Sequence, residues 1–192
     1  MSFDFNAHIH DADFTVNAVA NLQDAVKRRL TAHPWFAPVN VLTTQQGDIV
    51  NEIARALGTM TKPFGLGMAV VIGTPNADDS SGNIFALDLD PFYIAADIYC
   101  DPLTVDTPQG VRRSVDAVAL NVLRLLKGWT PRGCSAPLTS TRPTIADLPD
   151  TTQSGLVIRR VALRGAVTLP LLRLEGEPVA PDDNTEKEVV SG

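Results

Sequence analysis

Apolar residues in 15–31 recur with a helical period: Val19, Leu22, Val26 and Leu30 fall at i, i+3, i+7 and i+11 and line one face. Asp13 or Thr15 can cap the start, and Pro34 stops the helix. Lys27, Arg28 and Arg29 occupy its last turn, where cations suit the helix dipole; a phosphate site is the alternative reading of the triplet. Residues 39–43 are a short β-type run. A second helix is predicted over 49–57, with Asp48 as cap, Ile49, Ile53 and Leu57 on its apolar face and Gly58 as stop. The run 68–72 (MAVVI) reads as a buried strand, closed by Gly73-Thr74-Pro75.

The next strand is the most informative. Phe85, Leu87 and Leu89 alternate with polar or small residues, and after Pro91 the apolar positions become even-numbered: Phe92, Ile94, Ala96, Ile98, Cys100. A one-residue phase slip at Asp90-Pro91 predicts a β-bulge or bend within one long strand over 84–101. Pro91, which has no donor, fits a bulge or an edge. A third helix is expected with Thr107 as cap, Pro108 at its first position, a face of Val111, Val115, Val118 and Val122, and Gly128 as stop. Residues 129–154 read as a long loop with room for a short strand near 138–142. A strand over 155–163 follows, and 165–172 either continues it or returns antiparallel. The strands are not regularly separated by helices. The pattern predicts an α+β domain over 1–174: a mixed, mainly antiparallel sheet with about three helices packed on one face, an N-terminal arm at 1–14 and the 129–154 loop.

A chain of 192 residues can bury a core without disulfide or metal staples, and 44% apolar against 20% charged residues marks it as globular. The net charge of −6 argues against a surface that coats nucleic acid. That charge is unevenly placed. Residues 175–192 hold Glu175, Glu177, Asp182, Asp183, Glu186 and Glu188 against Lys187, a balance of −5, so the remainder is near neutral. This acidic segment is expected to stay disordered, since it has little apolar surface to offset ordering entropy. A solubilising end is the simplest reading, and a segment that orders on a partner the sharper one. Two cysteines, Cys100 and Cys134, suit a reducing compartment better than a disulfide framework. No apolar run is long enough to span a membrane, and the first residues lack the features of a secretory signal.

Candidate chemistry is sparse. His8 and His10, at i, i+2 beside Asp11 and Asp13, form the one metal-like cluster, against the plainer reading of an exposed polar arm. Cys134 has no histidine partner in a recognisable setting. Gly65-Leu66-Gly67 precedes a strand, the wrong order for a phosphate loop. Asp88, Asp90, Asp97 and Asp101 lie on or beside one strand and can be an acid–base pair, or the solvated face of a half-buried sheet. Arg159 and Arg160 point to opposite faces of their strand, so one of them is expected at an interface or a solvated edge. No catalytic, cofactor-binding or metal residue is assigned.

The wording GDIVNEIARALG (47–58) followed by GMAVVI (67–72), and a helix closing in VLRLLKGWTP (122–131), set in this element order, resemble tail terminator proteins of tailed bacteriophages over roughly residues 15–170. The resemblance implies a structural, non-enzymatic subunit without cofactor. Six copies would form a ring on the head-proximal end of the tail tube, stop tube polymerisation and join the tail to the head connector or neck proteins. Genomic DNA would pass through the lumen without specific binding, and an acidic lumen supplied by Asp88, Asp90 or the tail would suit that. The protein would be made in the host bacterial cytoplasm and reside in the virion. Alternatives are another head- or tail-completion subunit, a small metal-dependent hydrolase using His8 and His10, and a monomeric module whose acidic tail engages a basic partner.

Overall fold

The structure, a computed structural model, describes residues 18–45, 49–57, 67–74, 77–79, 86–105, 111–150 and 155–170. The arm carrying His8 and His10 and the acidic segment 175–192 lie outside the described residues, as do Asp48, Gly58, Thr107 and Pro108. The main helices are α1 (Ala18–Thr31), α2 (Ile49–Leu57) and α3 (Val115–Leu126). The strands are β1 (Asn40–Thr43), β2 (Met68–Gly73), β3 (Ala77–Asp79), β4 (Ala86–Cys100), β5 (Thr139–Leu148) and β6 (Val157–Pro170). They form one sheet in the order β1-β2-β4-β6-β5, with β3 following β2 along the same side of β4. β1 and β2 are parallel, and every other pairing is antiparallel. The fold is α+β on a mixed, mainly antiparallel sheet.

The helices divide between the two faces of this sheet rather than sharing one. Met68, Val70 and Ile72 join the main core with α1 and α3, while Ala69 and Val71 face Leu42, Ile49, Ile53 and Ala56. An apolar run without alternation needs cover on both sides. Residues 68–72 are all buried, and α2 supplies the second cover at the β1–β2 end. On the main face α3 contributes Val118, Ala119, Val122 and Leu126. Burying each valine or leucine there is worth roughly 1.5–3 kcal/mol. In α1 the buried stripe is Ala18, Leu22, Val26 and Leu30, and Val19 is exposed. Its four-residue spacing keeps Ala18 above Leu22, where Val19 would point one residue further round.

The phase slip in β4 is a bulge. Leu89 pairs with Val167 and Phe92 with Gly165, so β4 advances three residues while β6 advances two. As a result Leu89, Phe92, Ile94, Ala96 and Ile98 all reach the main core. Two further expectations need correction. The third helix starts at Ser114, whose hydroxyl accepts from the Ala117 amide at 3.1 Å, and not near Thr107. Arg112, at φ 52°, breaks any helical path from Val111, which is buried without being helical. The 129–154 stretch is largely a ten-residue strand, β5, running well past residue 142. Pro143 hid it: a proline interrupts the alternation of a strand pattern, and here it sits in a bulge where residues 141–144 oppose Ala162 alone. Residues 157–170 form one continuous strand.

Candidate interaction surface

Chain direction places alternate β6 residues on opposite faces, and both adjacent arginines pair with aspartates of the same chain. Arg159 turns to the α3 side, where it pairs with Asp116 and, at 2.7 Å, with Asp147 of β5. Arg160 turns to the other face and makes a two-pronged bond with Asp97, its register partner on β4, at 2.7 Å on each arm. The Asp97 carboxylate raises the Arg160 pKa by that hydrogen bond, so the charge there is fixed. Tyr99, on the same face, has its phenol pKa raised by burial first and by the Asp97 charge second. Further along, Arg164 bonds Asp90 at 2.7 Å.

Asp88 and Asp97 therefore share a face, because the bulge moves the odd-numbered half of β4 onto the side that carries its earlier even-numbered residues. Their chemistry is not that of an acid–base pair. Asp97 and Asp90 are neutralised by Arg160 and Arg164, and the Asp101 carboxylate accepts the Leu103 amide at 2.9 Å, capping the single turn Pro102–Val105. Asp88 lines a shallow cavity of about 320 Å3 with Asp90, Ser135 and Thr168. No local pattern pairs Arg160 with Asp97 or Arg164 with Asp90, which lie 63 and 74 residues away. Only the i, i+4 spacing of Arg160 and Arg164 hinted at a shared face.

On this face α2 packs on β1, β2 and β4, and the side chains of Tyr93, Asp97, Tyr99, Arg160 and Ala162 are half-buried. Among the described residues, both outer strands of the sheet, β1 and β5, have a partner on one side only. They differ in shape. β1 is four residues long with three buried, whereas β5 is ten residues long, half-exposed and bulged. In the β5 bulge the Thr141 hydroxyl donates to the Ala162 carbonyl at 3.0 Å and the Thr144 hydroxyl to the Thr141 carbonyl at 2.7 Å. A proline-bearing bulge of this kind blocks indiscriminate strand pairing while leaving a shaped edge.

Cys134 is buried and burial pushes its thiol up to about 12, so it stays protonated and is no nucleophile at neutral pH. In the basic triplet, Arg29 ties two helices together: its Nε donates to the Leu125 carbonyl at 2.7 Å and its guanidinium lies 4.7 Å over the Trp129 ring. Beside that tether is a groove of about 340 Å3 lined by His33, Trp35, Phe36, Asn121, Arg124 and Leu125. Arg113 stacks 4.2 Å over the outer wall, Trp35, and donates to the Trp35 carbonyl. The groove joins residues some 90 positions apart, which no local pattern announces. Among the described residues no group of three His, Cys, Asp or Glu side chains is placed to hold a metal ion, and no helix is long and apolar enough to cross a membrane. No protein-family model matches the chain, and no characterised protein matches it in sequence.

Proposed function

We propose that this chain is a structural ring subunit of the kind its wording resembles, a tail terminator that caps a tail tube and joins it to the connector. The observation that carries the reading is the pair of dissimilar sheet edges, β1 and β5, at opposite ends of one sheet. A closed ring requires each subunit to offer one surface to one neighbour and a different surface to the next, so that contacts run head to tail. Two dissimilar edges on a stiff sheet meet that requirement. The internally neutralised face of β4 and β6 suits it as well: Asp97–Arg160 and Asp90–Arg164 leave ordered dipoles rather than bare charges for a neighbour to meet.

Light scattering on the purified full chain over a concentration range, with negative-stain images of the same sample, tests this reading. Closed rings of about six copies are the expected outcome. If the chain stays monomeric alone, adding polymerising tube protein should yield tubes of limited length with this chain at one end. A monomer that neither closes nor limits tube growth would refute it.

A further inference from the structure

The groove between the 3₁₀ turn at Pro34–Phe36 and α3 has a pronounced chemical bias. Its wall is aromatic and apolar through Trp35, Phe36 and Leu125, and Arg124, His33 and Asn121 complete its lining. Arg113, on the back of Trp35, adds a second guanidinium, and Arg28 and Arg29 end the neighbouring helix. No acid is among the lining residues. Five described acids are drawn to arginines elsewhere: Glu52 to Arg55, Asp90 to Arg164, Asp97 to Arg160, and Asp116 and Asp147 to Arg159. Cations in the last turns of α1 and α3 complement the helix dipoles. The dipoles do not account for the aromatic wall or for His33 and Arg113, which lie outside those turns.

The chain carries the complementary charge in one place. Residues 175–192 hold six acids against one lysine. Pro178, Val179, Ala180 and Pro181 sit among them, an apolar stretch whose composition suits an aromatic wall. The path also fits. β6 runs out toward Pro170 at the same end of the molecule as the last turn of α3, since the Gly128 amide bonds Leu138, Thr139 faces Arg164 and the Ser135 amide bonds Ala166. The seven residues 171–177 between the end of β6 and the Pro-Val-Ala-Pro stretch can span up to about 25 Å when extended.

We propose that this basic aromatic groove is the seat of the protein's own acidic segment, residues 175–192. Carboxylates of the segment meet Arg124 and its neighbouring cations, and the Pro-Val-Ala-Pro stretch lies on Trp35. The assignment stands apart from the ring reading, because the groove seats the segment in a monomer or a ring alike.

The test uses the full chain with the six tail acids neutralised (Glu175→Gln, Glu177→Gln, Asp182→Asn, Asp183→Asn, Glu186→Gln, Glu188→Gln), so that the seat is open. A fluorescein-labelled synthetic peptide of residues 175–192 is titrated in and anisotropy is read. The protein's two tryptophans, Trp35 and Trp129, both stand at or beside the groove and report occupancy by their emission. Saturable binding is expected, weakened by added salt and weakened about ten-fold by Arg124→Glu, the loss of one charge-assisted contact. Arg124 is exposed, and Asn121→Asp, which sets a carboxylate in the lining itself, supplies a second, independent variant, both checked for native melting. Absence of saturable binding, or binding indifferent to both charge changes, overturns the proposal. So does a groove that takes a short single-stranded oligonucleotide and not the peptide.

Discussion

Replacing Gly165 with alanine probes the joint where β6, the start of β5 and the β4 bulge meet. A Cβ at 165 would stand 2.9 Å from Leu138 Cδ2, 3.7 Å from Cys134 Sγ and 4.0 Å from the Phe92 carbonyl. Only the first contact is too close, but Leu138 is fully buried and has no open space to turn into. Overpacking of one methyl costs about 1–3 kcal/mol, offset by up to about 1 kcal/mol from a less flexible unfolded chain. The expected net loss is about 0–3 kcal/mol, or up to roughly 12 °C in Tm for a chain of this size. Leu138→Ala alone should cost about 2–5 kcal/mol by leaving a cavity at the same spot. In the double variant the new methyl enters that cavity, so the combined loss should fall short of the sum by about 1–2 kcal/mol. Urea unfolding of the four proteins closes the cycle. Simple additivity of the two substitutions would refute the packing assigned to this joint.

Three further outcomes follow from the structure. Asp97→Ala should cost about 1–2 kcal/mol in urea unfolding, less than a deeply buried pair because Arg160 is a third exposed, and a loss below about 0.5 kcal/mol would contradict the two-pronged bond. Tyr99 is held protonated beyond the usual phenol range, so the unfolded chain releases this proton first. Stability is full below the unfolded value near ~10 and falls as pH rises through it towards the folded value. Ultraviolet titration should show a late phenolate that Tyr99→Phe abolishes. Ser114→Ala should lower stability by about 1 kcal/mol as the Ala117 amide loses its acceptor, and an unchanged Tm would place the cap elsewhere.

What could be read in the chain was local and periodic. The bulge in β4 is visible because the slip from Leu89 to Phe92 changes the parity of every later apolar residue, and α2 spans the 49–57 that the spacing of Ile49, Ile53 and Leu57 marks out. What could not be read depended on distant partners. Whether α2 lies with α1 or across the sheet is decided by what covers Ala69 and Val71, and an unbroken apolar run gives no face preference. The start of α3 went wrong because Thr107-Pro108 is as good a helix opening as Ser114 on paper, and the left-handed backbone at Arg112 leaves no mark on residue type. β5 was underestimated because its bulge breaks the alternation. Of the candidate surface, the two arginines in β6 are legible as oppositely directed, but their aspartates lie 12 and 43 residues earlier for Arg159 and 63 residues earlier for Arg160.

The sheet order has a consequence for how the chain is completed. β6 is the last described strand to be synthesised, yet it lies between β4 and β5 and pairs along nearly the whole of β4. Until it emerges, the central strand has one bare side, β5 has nothing to pair with, and the Arg159 and Arg160 counter-charges of three aspartates are missing. Contacts at this sequence separation form late because loop closure must come first. The β5 edge therefore depends on the last described stretch of the chain: a nascent or truncated chain lacking 157–170 has no strand on which to order β5.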